Sequence, residues 1–402
     1  WGSILAAKAK KAPEPIDRLL DLATYKILAH HTLIRCPSYL EHQEELNRRI
    51  FDSVRLPELA DKFGFDIECC CLFFRKMREA FEARLKSLQP YSSVVYAELV
   101  RMANSEHAGP KSEKDVPIEL IDQFIAEAPS KIYMWSTDEI VEQTGLDTSV
   151  VSSILVHFAS YFGETRQDYT FVAPVPQIQR KPFIQFHDGR WFLGLLDFFP
   201  FAIRPRIEEE LKVQATNQPL WTRYQKMRAD YLVQRTLATF SIAAPSAVRY
   251  ANLKYDNPDR PGEETELDCL IRIDKTLLVI ECKAGTFGDA AKRTAPKSLS
   301  KNIEQLIGEA AQQSNRAIRY IKSCKTAVFR VDRKTIEIDM SDVSEIIPVI
   351  VTLDHLDAVV SQLSILRRVG LLDAVGLELP WAMNIVDLGI LCEMIEWPSQ
   401  LL

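Results

Sequence analysis

The sequence predicts an α+β chain of several domains: a helical N-terminal region, a small middle module with a β-hairpin, and a C-terminal α/β core followed by a helical tail. Three observations carry this. Apolar residues recur at helical spacing over residues 14–104, and two closely spaced helices and a hairpin follow in 136–195. Residues 266–283 then read as two apolar strands flanked by long helical segments. The expected boundaries are 1–110, 111–214, 215–353 and 354–402. At 402 residues the chain is long enough for two or three cores.

In the first region, Leu19, Leu22, Ala23, Ile27 and Leu33 mark one helical face, and Ile67 to Leu85 a second, with breaks expected at Pro37, Pro57 and Pro90. His30 and His31 are adjacent and have no partner one turn on, so they read as capping or surface residues. This helical region is the candidate surface for a partner protein or a second copy of the chain. Residues 104–116 are polar and make the best linker.

In the middle module, Ser136-Thr137-Asp138-Glu139 opens a helix with capping residues, Gly145 to Thr148 forms a turn, and Ser149 to Phe158 forms a second helix. This is helix-turn-helix spacing. The second helix has Thr148, Ser149, Ser152, Ser153 and His157 as its polar groups, without Arg or Lys to hold phosphates. A winged-helix-like packing or protein-contact module therefore fits it better than a sequence reader. Asp188-Gly189 between apolar alternations signals a hairpin at the end of the module.

The C-terminal core carries the chemistry. Glu266-Leu-Asp-Cys-Leu-Ile-Arg-Ile and Thr276-Leu-Leu-Val-Ile-Glu-Cys-Lys283 are joined by Asp274-Lys275. A two-residue loop pairs Ile273 with Thr276, which sets Asp268 opposite Glu281 and Glu266 opposite Lys283. Alternation then places all four charged residues on one face. Two carboxylates across an antiparallel pair repel, and burial beside Leu277 and Val279 raises the cost. A divalent cation removes the conflict. Hard oxygen ligands in this arrangement suit Mg²⁺ or Mn²⁺, with Lys283 in reach of a water or a phosphate oxygen.

Asp268, Glu281 and Lys283 in this order on consecutive strands resemble the PD-(D/E)xK nuclease superfamily, with Glu281-Cys282-Lys283 as the tripeptide. Leu267 stands where the family proline would be. The resemblance covers roughly residues 215–353. It implies a restriction-endonuclease-like α-β-β-β-α-β core and a Mg²⁺-dependent endonuclease acting on nucleic acid, DNA being the favoured substrate. It implies a metal held by Asp268, Glu281 and the Cys282 carbonyl, with Lys283 as a catalytic group. Several branches also place a Gln at the catalytic edge of the following helix. Gln313 resembles that residue best, with Gln312 as the neighbouring alternative. The helix before the first catalytic strand often donates a Glu; here it is Pro219 to Phe240, and Gln234 stands in that place. A defence or repair role is an analogy drawn from nucleases joined to accessory modules.

After the hairpin, residues 283–301 hold five basic residues (Lys283, Lys292, Arg293, Lys297, Lys301) against one acid, Asp289. This Gly-, Ala- and Ser-rich stretch reads as a loop, and Lys292, Arg293, Lys297 and Lys301 are its candidate nucleic-acid contacts. A helix is expected over about Leu299 to Lys325, with Ile303, Leu306, Ile307, Ala310, Ala317, Ile318 and Ile321 on its apolar face. Strands are expected at Thr326–Val331 and Ile346–Leu353, and the remainder from Asp354 reads as helical.

Composition sets the outer limits. The net charge of −6 argues against a general polyanion binder, so any nucleic-acid contact is expected to be local. The eight cysteines lack zinc spacing and fit free thiols in a reducing cytoplasm. No apolar run reaches the ~18 residues that a membrane span needs, so no membrane partner is expected.

Overall fold

The computed structural model describes residues 40–104, 127, 130–163, 180–213, 218–286, 296–331, 333–354, 363–368 and 378–401. The chain divides into two compact units, with the main division between Trp221 and Thr222. The first unit spans the expected division at 110/111, and the second spans that at 353/354. Both units mix helices with a sheet, an α+β architecture.

The first unit opens with helices α1 (Leu40–Ile50), α2 (Glu58–Phe63) and α3 (Ile67–Asn104). Pro57 sits at the N-cap of α2, where its fixed φ of −60° suits a helix start. Pro90 ends nothing: α3 continues through it, because one missing N–H costs the helix a single bond while the turns on either side stay intact. Then come β1 (Met134–Trp135), α4 (Thr137–Thr144), α5 (Thr148–Phe158), β2 (Ala159–Tyr161), β3 (Phe183–Gln185), β4 (Trp191–Phe192) and α6 (Phe199–Val213). Ser136 and Glu139 close a reciprocal capping box at the start of α4, and Gly145 ends that helix at φ 66°, a left-handed value that glycine adopts at little cost. The strands form a small sheet in the order β1-β4-β3-β2.

One aromatic core ties α3, α5, β3 and α6 together. Phe158 meets Phe199 edge-on at 4.9 Å, and Phe73 lies within 6 Å of both Phe183 and Phe199. The polar residues of α5 partly serve this packing. His157 sits against the rings of Phe63 and Phe65, and its Nδ1 lies 3.0 Å from Glu210 Oε1. A Cβ on Gly64 would come within 2.6 Å of Ser153 Oγ, so the two segments lie flush. Thr148, Ser149 and Val156 remain exposed on α5, and none is charged.

In the second unit, α7 (Gln218–Ala243) leads into β5 (Val248–Asp256), β6 (Glu264–Ile273) and β7 (Thr276–Lys283). Helix α8 (Pro296–Ile303), a π-helical turn (Glu304–Gly308) and α9 (Glu309–Ser323) follow, then β8 (Thr326–Val331), β9 (Lys334–Asp339) and β10 (Glu345–Thr352). The unit closes with α10 (Leu363–Arg368), β11 (Trp381–Asn384) and α11 (Ile385–Met394).

The seven strands lie in the order β11-β10-β7-β6-β5-β8-β9. β5, β6 and β7 form an antiparallel meander; α8–α9 then lead to β8 beside β5, and the chain returns after the β8–β9 hairpin to β10, which runs parallel to β7. Thr276 to Glu281 are all buried, as a strand covered on both faces requires. On one face α9 supplies Ala317, Ile318 and Ile321 against Leu270, Leu277 and Val279. On the other, the Cys269 thiol reaches the Val233 carbonyl of α7 at 3.9 Å.

Two expectations are corrected here. The segment beyond Asp354 is not wholly helical, because Trp381–Asn384 pairs in parallel with Val349–Thr352. Four residues are too few to show a period, and the neighbouring strand supplies the bonds. Strand β9, absent from the expected set, pairs with β8 as a hairpin at the far edge.

Candidate active site

The hairpin β6–β7 forms in the expected register. Ile273 pairs with Thr276, and the ladder continues to Cys269 with Ile280. Asp274 takes a left-handed φ of 50° in the two-residue loop, which lets the turn form without glycine. The ladder then stops one pair short of the site. Glu266 faces Lys254 of β5 rather than Lys283.

Asp268 and Glu281 still meet. Asp268 Oδ2 accepts the Cys282 N–H at 2.7 Å, a charge-assisted bond in the place of a ladder bond. Burial raises the Asp268 carboxyl above its ordinary range, against the opposing pull of that N–H and of Lys283. Glu281 is only 3% exposed. Its Oε1 finds no hydrogen-bond partner among the described residues. Burial, and after it the charge of Asp268, pushes the Glu281 carboxyl well above the usual carboxylate range.

Lys283 lies one residue beyond Cys282, at the end of β7. Its Nζ donates to Gln313 Oε1 on α9, across thirty residues of sequence. Gln312, the neighbouring alternative, turns instead toward Glu304 Oε1 at 3.5 Å. The Cys282 thiol points to the opposite face, toward Thr236 Oγ1 of α7 at 3.7 Å. Its bond to the Cys269 thiol and its burial hold it protonated. Gln234 is exposed on α7.

Lys297 and Lys301 are exposed and one turn apart on α8, whereas Lys292 and Arg293 lie outside the described residues. Two polar residues not singled out by sequence share a row with Lys283. Thr352 pairs with Lys283 across β7–β10, and Asn384 pairs with Thr352 across β10–β11. Both are buried. Their signal in the sequence was a polar residue closing an apolar strand, which turns and caps also produce.

Asp268 and Glu281 are the residues that could hold a hard divalent cation. Among the described residues no group of three or more His, Cys, Asp or Glu converges as a metal-holding set. Two carboxylates do converge, one with an orphaned buried oxygen, and Mg²⁺ takes one or two carboxylates with waters and phosphate oxygens completing its shell.

Comparisons with known proteins add no identity. No protein-family model and no curated protein matches the chain. Among solved structures, the crystal structure of protein VC1899 from Vibrio cholerae matches at a TM-score of 0.19 and 11% identity, covering 82% of this chain. The chain spans 56% of that protein's length. Among the described residues, no helix is long and apolar enough to cross a membrane.

Proposed function

We propose that the chain is a divalent-cation-dependent nuclease of the PD-(D/E)xK type, hydrolysing phosphodiester bonds in DNA. The observation that carries this reading is the buried, orphaned oxygen of Glu281 beside Asp268, with Lys283 held at the same edge by Gln313. Asp268, Glu281 and the Cys282 carbonyl would hold Mg²⁺ or Mn²⁺. When bound, the cation supplies Lewis-acid stabilisation of charge on a phosphate oxygen. Lys283 presents its ammonium to the same phosphate, where negative charge grows in the transition state. Gln313 orients Lys283, and Lys297 and Lys301 of α8 contact flanking phosphates with Lys292 and Arg293.

The β5–β6–β7 meander followed by α8–α9 and, after the β8–β9 hairpin, by β10 parallel to β7 supports this reading. One observation favours a second reading, a catalytically silent nucleic-acid-binding or scaffolding protein of this fold: α7 carries Gln234 where many relatives of this type carry Glu. Plasmid nicking with Mg²⁺ or Mn²⁺ separates the two. Cleavage by the wild type and its loss in Lys283→Ala support the nuclease. DNA binding without cleavage under either cation supports the silent protein.

A further inference from the structure

The strand neighbouring the hairpin contains an irregularity centred on the candidate site. Pairing of β5 with β6 runs from Val248–Arg272 to Ala251–Cys269 and resumes at Leu253–Leu267, passing over Asn252 and Asp268. The register is the same on both sides, so no residue is inserted. Asn252 nevertheless has a φ of 54°. Left-handed backbone is uncommon for any residue but glycine, and inside a strand it turns the peptide groups out of the ladder.

The side chains record the same event. Strict alternation would put Tyr250 and Leu253 on opposite faces, yet both pack in the layer under α9. Leu267 and Leu270 of β6 also share that layer. Cys269, between them, reaches the α7 face. The pleat therefore reverses phase in both strands at one pair, Asn252 with Asp268. At that pair Asp268 leaves the regular alternation, and its carboxylate takes the in-plane N–H of Cys282. Strand irregularities that re-aim a side chain recur beside active sites, and the local strain persists where the surroundings hold it.

We infer that Asn252 is a positioning residue: its left-handed backbone reverses the pleat opposite Asp268 and so turns the Asp268 carboxylate toward β7 and Glu281. Asn suits this place because its short polar side chain tolerates the left-handed region. The role rests on the reading of Asp268 and Glu281 as cation ligands, but its structural half stands without it.

The test uses the full chain, selectively labelled with ¹⁵N-cysteine, together with Mn²⁺ titration. In the wild type the Cys282 amide proton is expected far downfield, as a short bond to a carboxylate requires, and Asp268→Ala gives its position without that bond. Asn252→Gly keeps a left-handed backbone available; its Cys282 signal and Mn²⁺ affinity are expected at wild-type values. Asn252→Val resists positive φ. Its Cys282 signal is expected near that of Asp268→Ala, and its Mn²⁺ affinity lower by about tenfold or more. Should Asn252→Val not fold, Asn252→Ala replaces it, with the signal moved part of the way. A folded Val or Ala variant with the amide at its wild-type position overturns the inference, as does a Gly variant that behaves like Asp268→Ala. If the wild type binds no Mn²⁺, the cation reading fails, and the amide signal still decides whether Asn252 orients Asp268.

Discussion

Replacing Glu281 with Gln should stabilise the metal-free protein above neutral pH while abolishing its response to cations. Glu281 is 3% exposed, and one carboxyl oxygen lacks a partner among the described residues. Its folded pKa is raised by burial and by Asp268, so the folded state keeps a proton that the unfolded chain has released. Stability is therefore fully present below the ordinary value of 4.5 and is lost as pH rises through the raised value. Asp268 adds a loss of the same sign. Each factor of ten in proton affinity is worth about 1.4 kcal/mol, and an unsatisfied buried polar group costs about 1–3 kcal/mol. Glu281→Gln removes the charge and keeps the shape. In a chelating buffer near pH 8 its gain should be about 1–3 kcal/mol, or roughly 3–10 °C for a unit of this size. Thermal melts from pH 5 to pH 9, with hydrogen exchange at the β7 amides to locate the effect, give the measurement. Mg²⁺ at a hundredfold its Kd should then stabilise the wild type by about 2.7 kcal/mol and the variant by almost nothing. A metal-free wild type that becomes more stable from pH 5 to pH 8, or a variant that is less stable throughout, would refute the reasoning.

Three further outcomes follow from the same geometry. Lys283→Ala should reduce cleavage by about 10²–10³-fold with Mn²⁺ affinity little changed, whereas Gln313→Leu should lower cleavage less; single-turnover kinetics with separate cation titrations will show the split. Because the raised carboxyls must give up a proton to bind a cation, Mn²⁺ affinity should climb with pH through their range, with proton release detectable by calorimetry in buffers of different ionisation enthalpy. Lys297→Glu with Lys301→Glu should flatten the slope of log affinity for DNA against log salt by about 1.8 if both contact phosphate.

Much of the second unit was legible because its signals are local. The β6–β7 register followed from the position of Asp274-Lys275, and the helix after it from the spacing of Ile303, Leu306, Ile307 and Ala310. The strands without a local signal owe their form to neighbours. Lys334–Asp339 is held by β8, and Trp381–Asn384 by β10, while Asn315 on α9 exchanges hydrogen bonds with the backbone of Glu378 just before that strand. The expected face shared by Glu266, Asp268, Glu281 and Lys283 assumed unbroken alternation. Asn252 breaks it, and an Asn within a strand-like stretch does not announce its φ. The convergence of Asp268 and Glu281 survived because the Asp268 side chain reaches β7 directly.

The charges at the edge explain why a cation matters to the nuclease reading. With both carboxylates ionised, Asp268, Glu281 and Lys283 sum to one negative charge, which repels phosphate. One divalent cation reverses the sign, and a DNA phosphate is then attracted to the spot where Lys283 stands. A Glu at position 234 that reached the same edge would cancel that surplus and favour a second cation. Gln234 is neutral, and α7 meets the sheet through the Val233 carbonyl and Thr236 on the thiol face. On the nuclease reading, the residues at hand would therefore suit a single cation balanced by two carboxylates. They leave the net positive charge that phosphate binding needs.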